Sequence, residues 1–134
     1  ATAAKHLLPS CEVIGVEPEA GDDWCQSYLT GRRMKLDDVP RTIADGQQTE
    51  APGAQTWPTV RPLVQRFVSV TDDEIKTTMR LLFERAKIVA EPSGASALAA
   101  LVSGKVDGRG KRVGVTISGG NVGIAQFCKI MADE

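Results

Sequence analysis

The sequence predicts a parallel α/β domain, on three observations. Stretches with helical apolar spacing alternate with short β-branched runs along the chain, the pattern of helices and strands layered on one sheet. The runs at 12–16 and 113–117 are short and mostly apolar, which reads as buried strand. The second ends in Ser118-Gly119-Gly120-Asn121 and gives way to a helical segment from Val122 to Met131. A strand that turns into a helix through Ser-Gly-Gly places bare N–H groups and one hydroxyl at the carboxyl edge of a sheet, where open α/β sheets bind ligands.

The elements follow in order. Ala1 to Leu8 is helix-prone, without an N-terminal cap or an initiating Met, and reads as the body of a helix whose beginning is missing. Pro9-Ser10-Cys11 ends it, and residues 12–16 form the first strand. Glu17-Pro18-Glu19-Ala20-Gly21-Asp22-Asp23 closes that strand as a carboxylate-rich loop. A short helix is expected from Trp24 to Leu29, ended by Gly31. Residues 36–55 show little periodicity and predict a long loop; loops of that length are usually functional or mobile. Thr42-Ile43-Ala44-Asp45-Gly46 is its expected ordered point. Thr56-Trp57-Pro58 opens a helix to Val64, with Pro58 in the first turn, where its missing N–H leaves nothing unpaired. Phe67 to Val70 is a second strand. Thr71-Asp72-Asp73-Glu74 is a capping box, and its helix carries Ile75, Met79, Leu82, Phe83 and Ala86 on one face. Ile88 to Gly94 turns into an alanine-rich helix, Ala95 to Val102, suited to tight packing on a sheet. Gly104 to Gly110 is a loop before the last strand.

Composition narrows the function classes. At 134 residues, 42% apolar and 25% charged, the chain is one globular domain at most. Its 16 Lys+Arg balance 17 Asp+Glu, so no polyanionic partner is implied. Lys105, Arg109, Lys111 and Arg112 sit in a Gly-rich loop and read as a solvated turn, not a nucleic-acid patch. No run approaches the roughly 20 apolar residues of a membrane span, and the opening residues do not read as a signal peptide. Cys11, Cys25 and Cys128 are odd in number and lack C-x-x-C spacing, which points to a reducing, cytoplasmic setting. His6 is the single histidine, so neither a Ser-His-Asp triad nor a His-pair metal site is available. Chemistry here needs a cofactor, a metal, or groups from elsewhere.

Three stretches are candidate sites, each with a plain alternative. Ser118-Gly119-Gly120 is either a ligand corner or a tight turn that uses glycine for its backbone angles. Glu17, Glu19, Asp22 and Asp23 either hold a hard divalent cation, with carbonyls and waters completing the shell, or form a solvated acidic loop. Glu91 in Glu91-Pro92-Ser93-Gly94-Ala95 is either a carboxylate near the same corner or a surface helix start. Gly104 to Lys111 fails as a phosphate loop, because five residues separate Gly104 from Gly110 and Arg112 follows Lys111.

Taken together, the sequence Val13-Ile14-Gly15-Val16-Glu17-Pro18-Glu19, the pair Asp22-Asp23, Thr42 to Gly46, Val70 to Ile75, Glu91 to Ala95 and Ser118 to Asn121 resembles the C-terminal portion of pyridoxal-phosphate-dependent serine/threonine dehydratases, the group that includes serine racemase. The resemblance runs over nearly the whole chain. It implies that residues 1–134 are a partial domain: the C-terminal part of a parallel, doubly wound three-layer sheet domain that binds the cofactor. Ser118 would hydrogen-bond the pyridine nitrogen, Gly119 and Gly120 would let the backbone pass close to the ring, and Gly46 and Glu91 would line the pocket. Glu17, Asp23 and the Gly21 carbonyl resemble the divalent-cation site of the racemase branch, for Mg²⁺, Ca²⁺ or Mn²⁺.

The implied activity is β-elimination of L-serine or L-threonine to a 2-oxo acid and ammonia, with serine racemisation as a companion reaction, in a homo-oligomeric, dimeric enzyme. The family's Schiff-base lysine and phosphate-holding loop lie upstream of the matched region, and none of the seven lysines here stands in that motif. The isolated chain is therefore expected to be a fragment without turnover. The competing reading is a catalytically inert cation-binding or dimerising α/β module.

Overall fold

In the computed structural model, which describes residues 1–132, the elements run α1 (Thr2–Leu7), β1 (Ile14–Pro18), a 3₁₀ turn (Glu19–Gly21), α2 (Asp23–Thr30), a second 3₁₀ turn (Asp45–Gln47), α3 (Trp57–Val60), β2 (Arg66–Val70), α4 (Asp72–Leu81), a π turn (Leu82–Ala86), α5 (Pro92–Val102) and α6 (Ile124–Ala132). The strands β1 and β2 pair in parallel, Ile14 with Arg66, Val16 with Val68 and Pro18 with Val70. Successive side chains point to opposite faces of such a pair. Val16, Val68 and Val70 therefore enter the main core together. Phe67 lies on the other face, against Gly15, where an added Cβ would run into its ring.

Different helices cover the two faces. Trp24 and Tyr28 of α2 pack on Phe67 at centroid distances of 5.4 and 5.5 Å. Ile75 and Met79 of α4, with Ala95, Ala99 and Ala100 of α5, join the valines in the core. The small side chains of α5 let its backbone approach closely. Helix, sheet and helix form three layers.

The capping box at α4 forms completely. Thr71 Oγ1 accepts the Glu74 N–H at 3.2 Å, and Glu74 Oε2 accepts the Thr71 N–H at 2.7 Å. Thr71→Ala is expected to lower stability by about 1 kcal/mol, read as a shift in the urea midpoint, with Thr71→Ser retaining most of it. An equal loss in both variants would show that the hydroxyl is not the cap.

Several expectations are corrected. Val113 to Ile117 is not a strand: no ladder includes it, although its exposure alternates from Gly114 to Gly120 as in an extended run. A slot of about 410 Å³ lined by Val13, Val16, Leu101, Val113 and Val115 lies between it and β1. The open edge also leaves β1 only half-buried at Ile14 to Val16, not fully buried. The strand itself runs two residues later than expected. Helix α5 begins at Pro92, inside the expected turn, because proline's fixed φ suits the first helical position. Helix α3 stops at Val60, since Pro62 has no N–H to carry the helix on. Phe83 and Ala86 leave the apolar face of α4 and are exposed, because the wider π turn rotates them out of phase. Phe83 instead meets Phe127 of α6 at 5.4 Å.

Candidate functional site

Three chain segments converge at the expected corner. Helix α5 starts there with Glu91 as its N-cap and Pro92 in its first turn. The Glu91 N–H donates to the Gly119 carbonyl at 3.1 Å. The Glu91 carboxyl lies against Gly119 so closely that an added Cβ would overlap Oε1. A Cβ on Gly94 would overlap the Gly119 carbonyl oxygen, and one on Gly120 would sit 2.5 Å from the Val89 carbonyl oxygen. The third segment is the long loop: the Gly46 N–H donates to Ser93 Oγ at 2.9 Å. Ser118, Gly46, Glu91, Gly119 and Gly120 thus gather through their own contacts or their chain neighbours'. The glycines serve backbone packing here: carbonyl oxygens and a carboxyl fill the space a side chain would need. Ser118 is exposed beside this corner.

The acidic loop divides in two. Glu17, at the end of β1, is 7% exposed and Asp23, at the start of α2, is fully buried. Glu17 accepts the Trp24 N–H through Oε1 at 3.1 Å and the Cys25 N–H through Oε2 at 2.9 Å. It thereby satisfies two orphan amides of the α2 N-terminus, where negative charge is favoured. Asp23 Oδ1 accepts from the Thr49 hydroxyl at 3.1 Å, while its Oδ2 is buried without a partner. Glu19 and Asp22 do not join them. They line a separate open cleft of about 1150 Å³ with Arg41, Thr42 and Asp72.

No Lys or Arg pairs with Glu17 or Asp23 among the described residues. Burial pushes the Glu17 carboxyl up to about 7, against the two N–H donors that lower it, and the neighbouring Asp23 raises it further. Burial likewise raises Asp23. Burial and the Glu17 charge push the Cys25 thiol up to about 12, so it is not a nucleophile at neutral pH. Gly21 is buried between these carboxylates in sequence, in the Glu19–Gly21 turn, with the Pro40 ring where a Cβ would sit. Among the described residues no three His, Cys, Asp or Glu side chains gather as a metal cluster. The pair supplies two side-chain ligands at most.

Sequence reasoning missed Ser93, Thr49 and Gln47. Ser93 and Thr49 bind across 47 and 26 residues of chain, and the Gln47 Nε2–H donates to the Val16 carbonyl across 31. Hydrogen bonds of that reach leave no periodic or spacing signal.

The sequence profile of pyridoxal-phosphate-dependent enzymes matches residues 1–119. The chain belongs to this family. Among its pyridoxal-phosphate-dependent relatives, an L-threo-3-hydroxyaspartate ammonia-lyase of Pseudomonas sp is 43% identical over 98% of this chain and 41% of its own length. Serine racemase of Schizosaccharomyces pombe is 41% identical over the same shares. The crystal structure of a T.th. threonine deaminase superposes with TM-score 0.85 at 40% identity, covering 91% of this chain and 41% of that one. Maize serine racemase superposes with TM-score 0.87 at 36% identity, covering 98% and 42%. The chain therefore spans about two fifths of these pyridoxal-phosphate enzymes, and its three-layer α/β architecture is theirs. No helix among the described residues is long and apolar enough to cross a membrane.

Proposed function

We propose that residues 1–134 form the C-terminal portion of the cofactor-binding large domain of a serine/threonine dehydratase. The protein would convert a hydroxy amino acid, L-serine or L-threonine, to its 2-oxo acid and ammonia, with serine racemisation as a companion activity. The observation that carries this reading is the corner where Gly46, Glu91, Ser93, Gly94 and Gly119 interlock beside an exposed Ser118. Relatives named as ammonia-lyase, threonine deaminase and serine racemase favour the same chemistry. The free cysteines agree with a cytoplasmic enzyme, and a homodimer is part of the same reading.

The corner suits pyridoxal phosphate because closely packed backbone at Gly94, Gly119 and Gly120 stands beside one exposed hydroxyl. When bound, the cofactor supplies an electron sink for the substrate's α-carbon. Ser118 would give the ring nitrogen a neutral partner. A hydroxyl withdraws less than a carboxylate-protonated nitrogen would, which suits elimination, where the leaving hydroxyl takes the electrons. Gly119 and Gly120 would let the backbone pass close to the ring. Glu91 would act indirectly, because its amide and carboxyl are engaged with Gly119. Gly46 would line the pocket while its amide anchors the loop to Ser93.

Glu17, Asp23 and the Gly21 carbonyl would hold a divalent cation, Mg²⁺ or one like it. The orphaned Asp23 Oδ2 supports this, as does a buried carboxylate pair without a cationic partner, whose ionised form a cation would neutralise.

Ser118→Ala in the cofactor-loaded protein tests the enzyme reading. Loss of one hydrogen bond of about 1 kcal/mol corresponds to a roughly 5-fold change. Cofactor affinity or kcat is expected to fall by about that factor, with Ser118→Thr restoring part of it. Unchanged affinity and kinetics would remove Ser118 from the site.

A further inference from the structure

The stretch from Thr42 to Gly46 is held at both ends by side chains of two packed helices. At one end Asp72, the first residue of α4, accepts the Thr42 hydroxyl through Oδ1 and the Ile43 N–H through Oδ2 at 3.1 Å. At the other end Ser93, the second residue of α5, accepts the Gly46 N–H at 2.9 Å, an amide it shares with Asp45 Oδ1. Gly46 lies so close to Ser93 that an added Cβ would sit 2.9 Å from its Oγ. Between the two anchors Ala44 is fully buried, in the core that Ile75 and Met79 of α4 build with Ala95 and Ala99 of α5. Because α4 and α5 pack on each other, the two anchor points are fixed relative to one another.

The question of where the backbone groups of this stretch are bonded has a nearly complete answer. The Thr42 carbonyl accepts the Gln48 Nε2–H at 2.8 Å, and the Ala44 N–H donates to Thr42 Oγ1 at 3.1 Å. The Ile43, Ala44 and Asp45 carbonyls accept the amides of Asp45, Gln47 and Gln48 at 3.0, 2.9 and 3.2 Å. Of the carbonyls from Thr42 to Gly46, that of Gly46 alone has no partner among the described residues. Asp72 and Ser93 therefore determine where one open backbone acceptor stands, against the turn of α5 whose Gly94 packs on Gly119.

We infer that Asp72 and Ser93 are positioning residues of the cofactor corner, clamping the Thr42–Gly46 stretch from the first turns of α4 and α5 so that Gly46 is held in place against the ligand. Each acts through Gly46. Hydrogen bonds to an ionised carboxylate are the stronger kind, so Asp72 holds the stretch as a whole, and Ser93 sets its last residue. Supporting side chains of this sort decide whether a site is held to the precision that binding needs. The inference rests on the reading of Gly46 as a wall of the cofactor pocket.

The test measures amide hydrogen exchange at Ile43 and Gly46 together with the affinity for pyridoxal phosphate, read from its absorbance. Ser93→Ala removes one hydroxyl and is expected to speed exchange at Gly46 and to weaken cofactor binding, each by about 5-fold, while Ser93→Thr restores both. Asp72→Ala is expected to speed exchange at Ile43 and Gly46 together by about 10-fold and to weaken the cofactor as well, with Asp72→Asn, which keeps an acceptor, recovering most of the loss. A merely structural pair would lower the urea midpoint and leave the cofactor affinity of the folded protein unchanged. That result would overturn the positioning role, as would unchanged exchange at Gly46 in both alanine variants. If Ser118→Ala weakens the cofactor and Ser93→Ala does not, the positioning role fails while the corner reading stands. If the unmutated protein binds no cofactor, the corner reading fails and this inference with it.

Discussion

Gly94→Ala is expected to destabilise the protein by about 2–3 kcal/mol, the range of an overpacked interior site, and to loosen its hold on the cofactor. The new methyl would overlap the Gly119 carbonyl oxygen and lie 3.0 Å from the Gly119 nitrogen. Both are backbone atoms, so no rotamer change relieves the clash. Gly119 also accepts the Glu91 N–H, so pushing it away breaks the bond that docks the N-cap of α5 onto the corner. Displacement passes to Ser118 on one side and Gly120 on the other, and Gly120 has its own close carbonyl neighbour at Val89. Gly114→Ala is the control. Its Cβ would meet nothing within 4 Å, so a change within about 0.5 kcal/mol is expected. Urea midpoints for both variants, with the cofactor absorbance band retained after gel filtration, decide the matter. Equal midpoints would mean that the corner gives way freely and is not the rigid element described above.

What the sequence made legible divides along the range of the interactions. The Thr71–Glu74 box could be read because both partners lie within four residues, and Gly31 could be read as a helix stop because its left-handed φ of 70° is a local demand. Ile75, Met79 and Leu82 were readable as a core stripe because the helix stays regular up to the π turn. Beyond it the period changes, and Phe83 fell on the wrong side. Val113 to Ile117 has strand composition, but a strand also needs an edge to pair with, and its own residues do not specify one.

The corner was legible as an order of motifs, whereas the reason for its glycines was not. They answer to Glu91, Val89 and one another, and only the folded chain shows that. The acidic loop was legible as a cluster of carboxylates. Which of them turn inward depended on the alternation along β1 and the start of α2, which select Glu17 and Asp23 and leave Glu19 and Asp22 facing the open cleft.

That selection sets a pH dependence of definite sign. Glu17 titrates near 7 in the fold, against an ordinary value of 4.5, and Asp23 is also raised. Between those values the folded state holds more protons than the unfolded one, so stability must fall as pH rises through the window. A shift of this size corresponds to about 3 kcal/mol at 1.36 kcal/mol per unit. In EDTA, the urea midpoint is therefore expected to be highest near pH 5 and to decline until just above pH 7, then level off. Carboxylates held ionised by salt bridges change stability only below about pH 5, so a decline above it is diagnostic of carboxylates that are buried without a cation.

Saturating Mg²⁺ should reverse the outcome. A cation binds the ionised pair and competes with protons, so its stabilisation grows with pH, and the decline between pH 5 and 7 should flatten or turn upward. Asp23→Asn is the informative variant. It keeps an acceptor for Thr49, removes the charge beside Glu17, and should weaken both the EDTA decline and the response to Mg²⁺. A midpoint that rises from pH 5 to 7 in EDTA would show that the pair is already neutralised by another group. The decline without any Mg²⁺ response would keep the buried pair and discard the cation. The two measurements thus separate a helix-capping role for Glu17, which the Trp24 and Cys25 amides establish by themselves, from a cation site that needs Asp23 Oδ2 as well.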